Sequence, residues 1–284
     1  MTFAGAGAHG PSRFAAAKLC GVLLVLLLLL CAVTSSIGES AEKGKAGKKL
    51  EVEYEATPHK VVDAMLKLAK LSPDDFLIDL GSGDGRIPIA AAKTYGAKAL
   101  GVDLDPKRVA EAKVNAEREG VTDKVTFVEG DLHGTEIGDA TVVTLFLWPT
   151  VNLKLRPRLL DLAPGKRVVS HAHDMGDWHP DRQQTVGESD IFLWIVPGKV
   201  GGSWRLNTQG RVIDIRIDQK YQHFRGTALV DGRWRPIRNG RIDGIDVTFE
   251  LALSGRSFER FNGHMTPGGG LEGTSWYATR KTAR

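Results

Sequence analysis

Cysteine is nearly absent from this chain. Of 284 residues only Cys20 and Cys31 carry a thiol, and both lie in one hydrophobic stretch near the start. The rest of the chain therefore has no disulfide, no thiolate metal site and no cysteine nucleophile. Charge of one sign is also missing: 38 Lys and Arg against 34 Asp and Glu leave a net +4. Along the sequence the basic residues are scattered rather than interleaved with aromatics, which gives nucleic acid little support as a partner. A phosphate-cradling NTPase loop would need Lys-Ser/Thr after its glycines, and here Arg86-Ile87 follows instead. A dinucleotide fingerprint would need Gly or Ala where Arg86 stands. The remaining composition is that of an ordinary globular protein of one large or two small domains.

What is present centres on Leu77-Ile78-Asp79-Leu80-Gly81-Ser82-Gly83-Asp84-Gly85-Arg86-Ile87. An apolar run with an acid near its end flows into three alternating glycines and then an alanine-rich helical pattern. This reads as a buried parallel strand, a tight turn and a helix N-terminus, whose free N–H groups face negative charge. Glycine allows positive φ and close approach of a ligand to the backbone.

Taken in order, residues 1–18 read as unfolded. Residues 19–38 carry no charge and match either a membrane anchor or a secretory signal. Lys43, Lys45, Lys48 and Lys49 follow this segment, so the positive-inside rule favours an anchor with the following domain on the cytoplasmic side. A cleaved signal and export is the alternative. The lysine- and glycine-rich stretch 39–49 is a linker. Thr57 is expected to cap a helix with Pro58 at its first position, and Ser72-Pro73 to stop it.

Strands then alternate with helices: Ala99–Asp103, a helix from Asp105-Pro106 to about Glu119, Val125–Val128, the apolar run Ala140–Leu147, a helix over Leu153–Leu162 interrupted near Pro157, Arg167–Ser170 and Ile191–Val196. Strands apolar on both faces and separated by helices predict, for 50–197, a doubly wound, Rossmann-like α/β sheet. After Pro197-Gly198 the pattern turns to period two, as in Arg211–Asp218, with Gly and Asn turns between short strands. Residues 198–284 are expected to form an antiparallel β meander or partial barrel, its first strand available to extend the α/β sheet edge.

Asp-x-Gly-x-Gly-x-Gly at this turn resembles motif I of the class I S-adenosylmethionine (SAM)-dependent methyltransferases. The resemblance implies that Gly81, Gly83 and Gly85, with Ser82 between them, pack against the methionine part of SAM, and that Asp79 orients it. Asp103 ends the second strand, 22 residues after Gly81, where a carboxylate can accept both ribose hydroxyls; Leu104 follows it. Asp131 ends the third strand, and by the resemblance accepts a hydrogen bond from the adenine amino group while Leu132 lines the ring.

A further set is also similar to the lysine methyltransferase family that includes the mitochondrial enzyme modifying the c-subunit of ATP synthase. It comprises Tyr54, Thr57-Pro58, Asp79 to Arg86, Leu147-Trp148-Pro149, Arg167-Val168-Val169-Ser170 and Trp178 with Pro180. That likeness covers roughly 50–197 and implies a protein substrate, with a membrane protein as one candidate.

Candidate acceptor-site residues are Tyr54 as a gate, Trp148 and Pro149 at the fourth strand end, and His171, His173 and Asp174. An indole and backbone carbonyls can orient an amine or a cation. The two histidines and Asp174 also admit a zinc or iron reading; lining of the acceptor pocket is favoured over metal, and no metal is assigned. The expected activity is in-line transfer of the SAM methyl group to a protein lysine. The alternatives are a small or lipid-like acceptor, or an exported, non-enzymatic binding protein with a degenerate nucleotide fold.

Overall fold

The computed structural model describes residues 55–281. The hydrophobic segment 19–38, the linker 39–49 and Tyr54 lie outside the described residues. The described chain runs α1 (His59–Leu68), β1 (Phe76–Leu80), α2 (Arg86–Tyr95), β2 (Lys98–Asp103), α3 (Pro106–Glu119), β3 (Val125–Glu129), β4 (Val142–Leu145), α4 (Pro149–Leu160), β5 (Arg167–His171), β6 (Arg182–Val186) and β7 (Ser189–Ile195). Eight strands follow: β8 (Gly202–Thr208), β9 (Arg211–Lys220), β10 (His223–Val230), β11 (Arg233–Asp243), β12 (Asp246–Ser254), β13 (Ser257–Met265), β14 (Leu271–Gly273) and β15 (Trp276–Arg280).

The first seven strands form one sheet in the order β3-β2-β1-β4-β5-β7-β6. β1 to β5 are parallel, and β7 runs antiparallel to both β5 and β6. The order reverses between β1 and β4, and ligands bind open α/β sheets outside the carboxyl ends of strands at such a switch. Local chemistry explains the helices. Asp105 caps α3 by accepting from the Lys107 N–H at 2.9 Å, Pro106 fills its first turn, and Gly120 closes it in the left-handed conformation. Two apolar layers cover the sheet, one built on α1, α2 and α3, the other on α4 with Trp178 and Trp194.

Three local expectations are corrected. Pro58, not Thr57, holds the N-cap position of α1, because the Thr57 hydroxyl is turned to His171 at 3.2 Å. Pro157 does not interrupt α4, which is continuous over Pro149–Leu160; the ring lies on the exposed face while Val151, Asn152, Leu155 and Leu159 hold the buried one. The first strand after 198 does not extend the α/β sheet. Its edges are taken by β9 and β15, so the eight strands close into a complete up-and-down barrel.

Closure removes the sheet edges. The barrel interior is solid with side chains: Phe249 stacks on Phe261 at 4.8 Å, and both meet Trp276 edge-on. Barrel and α/β sheet belong to one unit. The Tyr221 hydroxyl donates to Asp177, Arg241 pairs with Asp181 at 3.0 Å, and the Gly198 N–H donates to the Gly244 carbonyl at 2.7 Å.

Candidate active site

Asp79 is the deepest polar group at the carboxyl end of β1, with 2% of its surface exposed. Its carboxyl accepts from the Thr144 hydroxyl on β4 at 2.7 Å. Burial, reinforced by the neighbouring Asp103 and Asp84 carboxylates, pushes it up from the ordinary 3.8 to about 7, against the lowering effect of Thr144. The turn that follows has Gly81, Gly83 and Gly85 at φ of 81°, 52° and 82°. A Cβ on Gly85 would sit 2.5 Å from the Phe127 ring. These glycines are required by the backbone and by the packing beneath it.

Asp103, at the end of β2, is tied to this turn. Its carboxylate accepts from the Gly83 N–H at 2.8 Å and from the Asp105 N–H at 2.9 Å. Asp131, after β3, accepts from the His133 N–H at 2.9 Å, and half-buried Leu132 packs on the core beside it. Leu104 is half-buried between Asp103 and Asp105. Three acids on adjacent parallel strand ends, beside a positive-φ glycine turn, therefore line one continuous edge.

The second half of the site is built on β4 and β5. Trp148 and Pro149 begin α4, and the indole stands 52% exposed. After β5 the chain makes a tight turn at Ala172, φ 63°, with the His173 N–H donating to the His171 carbonyl at 2.7 Å. The two imidazoles consequently take different neighbours. His171 is buried against the Phe146 ring, centroids 4.0 Å apart, and shares a hydrogen bond with Thr57. Burial, with His173 nearby, holds it down from 6.5 to about 4. His173 is half-buried and stacks on Trp148 at 5.7 Å. Asp174 accepts from the Gly176 N–H at 3.0 Å, which closes the loop.

The family model described as the ANTKMT methyltransferase domain matches residues 79–182. A protein-lysine N-methyltransferase from Saccharolobus islandicus (strain REY15A) is 43% identical over 151 residues, which is 51% of this chain and 94% of that one. This chain belongs to the class I SAM-dependent lysine methyltransferase family. The adenine nucleotide translocase lysine N-methyltransferase of Mus musculus is 34% identical over 147 residues, spanning 51% of this chain and 63% of the mouse enzyme. Among solved structures, an RNA methyltransferase from Salinibacter ruber in complex with S-adenosylhomocysteine is 50% identical, with a TM-score of 0.51 over 51% of this chain and 96% of that one. The chain thus spans nearly all of the two microbial proteins and somewhat under two thirds of the mouse one. The matched methyltransferase domain ends at 182, so the barrel lies outside it.

The methyltransferase's cofactor is SAM, and the residues at the strand ends fit it. Among the described residues the Asp79 carboxyl is buried with a hydroxyl as its hydrogen-bond partner and no cation, and the Ser82 hydroxyl is buried with no partner. A ligand bearing an ammonium group and further polar groups relieves both. In the sequence Thr57 was read as a helix cap and not as a partner of His171, and Thr144 and Asn152 escaped notice. Thr144 could have been noticed as the polar residue within the apolar run Ala140–Leu147. Asn152 gives no sequence signal, yet its side-chain amide is fully buried and donates to the His173 and Asp174 carbonyls at 3.2 and 3.3 Å. Among the described residues no group of three or more His, Cys, Asp or Glu is arranged to hold a metal ion.

Proposed function

We propose that this chain methylates the ε-amino group of lysine in a protein substrate, with SAM along the β1–β2–β3 edge and the amine entering between Trp148 and the 171–174 turn. SAM supplies an activated methyl group, so the protein's part is to align the acceptor and exclude water. In this reading Gly81, Ser82, Gly83 and Gly85 cradle the methionine end, Asp79 faces its ammonium, Asp103 and Leu104 hold the ribose, and Asp131 and Leu132 hold the adenine. The observation that carries the reading is the buried Asp79 carboxyl, joined to Thr144 and set against the positive-φ glycine turn.

Trp148 and Pro149 orient the acceptor chain, with the exposed indole facing the amine. A lysine must lose its proton before it attacks. With its pKa near 4, His171 does not hold a proton near neutral pH, so it serves as a wall of the pocket. His173, half-buried at the rim against Trp148, is the residue set to relay the proton outward, with Asp174 beyond it. Tyr54 keeps its proposed role as a gate at the methionine end.

In this reading segment 19–38 is a membrane anchor that keeps the catalytic domain on the cytoplasmic side, supported by the four lysines that follow it. Among the described residues no helix is long and apolar enough to cross a membrane. Intact mass of the mature chain distinguishes an anchor from a cleaved signal.

The test is transfer of labelled methyl from SAM to protein and RNA extracts in parallel, comparing wild type with Asp103→Ala. Label on protein, released as methylated lysine on hydrolysis and at least about tenfold lower in the variant, is the expected result. Label on RNA alone would overturn the lysine assignment.

A further inference from the structure

The barrel carries a pattern on its outer surface that the methyltransferase reaction does not use. Strands β9, β11, β13 and β15 all start from turns at the end of the barrel away from its contacts with the α/β sheet. The second residue of each is large and outward or half-buried: Val212, Trp234, Phe258 and Tyr277. Val212 is 64% exposed, Trp234 47% and Tyr277 54%. The register sets Val212 and Tyr277 at one level, because Asn207 on β8 pairs with both; Trp234 lines up through Leu229 with Asp214, two positions further along β9.

Arginines accompany this ring. The turns read Gln209-Gly210-Arg211, Asp231-Gly232-Arg233 and Ser254-Gly255-Arg256, which delivers a guanidinium to the same end three times. Arg211 is engaged by the Leu253 carbonyl and Asp231. Arg233 and Arg256 have no acid within ion-pair distance among the described residues, and Arg216 and Arg238 lie over the faces of Trp234 and Phe258 at 4.7 and 4.2 Å. Residues 198–281 hold 14 Lys and Arg against 8 Asp and Glu, so a net basic barrel sits in a chain of only +4.

The geometry points to this barrel end as a docking surface for an anionic lipid bilayer. Aromatic side chains at one end of the barrel beside arginines suit the interface between headgroups and acyl chains. The side chains are arranged around the end of a cylinder, so together they meet a plane. A nucleic-acid strand would instead need its stacking platforms along a groove. Contact is superficial: the inward residues are apolar and much of the outer wall is charged, the reverse of a membrane-spanning barrel. Glu272 pairs with Tyr277 and has no cation partner among the described residues, so Val212, Trp234 and Phe258 lead the approach to the lipid and Tyr277 stands at its margin. In the proposed reading of segment 19–38 as an anchor, that stretch and the four lysines after it also bring the chain to a membrane surface.

The experiment measures partition of the full chain into vesicles of phosphatidylcholine alone and of phosphatidylcholine with phosphatidylserine. The ratio of the two affinities cancels any contribution of the apolar segment that does not depend on lipid charge. The double variant Arg233→Ala, Arg256→Ala is expected to lower that ratio about 25-fold, about fivefold for each cation removed. Brominated lipids are expected to quench Trp234 emission, and Trp234→Phe to lose that quenching while binding persists. Emission of the buried Trp204 and Trp276 reports that the barrel is folded. An unchanged ratio in a folded double variant overturns the proposal. So does a double variant that loses binding to polyuridylate while its vesicle ratio is retained. Neither result depends on methyl transfer.

Discussion

Asp79→Asn separates the cost of burying a carboxylate from its use. In the cofactor-free protein the Asp79 carboxyl is held at about 7 instead of 3.8, so the folded state keeps a proton that the unfolded chain has released. Stability from this group is therefore fully present below about pH 4 and falls as pH rises toward 7, levelling beyond it. At 1.36 kcal/mol per pH unit the whole effect is roughly 4 kcal/mol, of which about 3 kcal/mol falls between pH 5 and pH 8. Asparagine keeps the acceptor for Thr144 and has no charge to bury.

His171 gives the opposite slope. Its pKa, held at about 4, makes it stabilising above about 6.5 and less so as pH falls toward 4. The wild-type profile alone consequently hides both groups, and only the difference between variant and wild type isolates Asp79. Urea unfolding of both cofactor-free proteins at about pH 5 and about pH 8 is expected to show the variant gaining about 3 kcal/mol relative to wild type over that interval. A difference that does not change with pH refutes the burial argument. Calorimetry on the same samples is expected to show SAM affinity rising with pH toward 7 in wild type, with proton release. The variant's affinity should be flat with pH and at least about tenfold weaker near neutrality, from loss of a charge-assisted hydrogen bond.

Gly85→Ala forces a Cβ to 2.5 Å from Phe127 at a φ of 82°, and should cost about 2–4 kcal/mol in denaturant unfolding and weaken SAM binding. Asn152→Leu removes the donor to the His173 and Asp174 carbonyls. Amide exchange in 172–176 should quicken, and unfolding should show a loss of about 1–3 kcal/mol. Trp148→Ala should raise KM for the lysine acceptor about fivefold or more while SAM affinity, read by calorimetry, stays as in wild type.

The sequence by itself determined the α/β half and the cofactor edge. Strands buried on both faces cannot be polar, so β1, β2, β4 and β5 were written as apolar runs. The turn after β1 demands positive φ, so Gly81, Gly83 and Gly85 were visible as a motif. Asp105-Pro106 announced α3 because a cap is a local interaction. The period-two alternation of Arg211–Asp218 likewise announced a strand with one wet face.

Only the tertiary structure decided what depends on residues far apart in the chain. Barrel closure needed β15 to find β8, about 70 residues away. Thr57 looked like a cap until His171, 114 residues on, took its hydroxyl. The charge state of Asp79 depends on burial, on Thr144, 65 residues on, and on Asp103 at the end of the next strand as well as on nearby Asp84, which no local pattern encodes. The cluster of Val212, Trp234, Phe258 and Tyr277 at the barrel end is invisible in sequence because its members lie about 20 residues apart and come to one end only through the up-and-down topology.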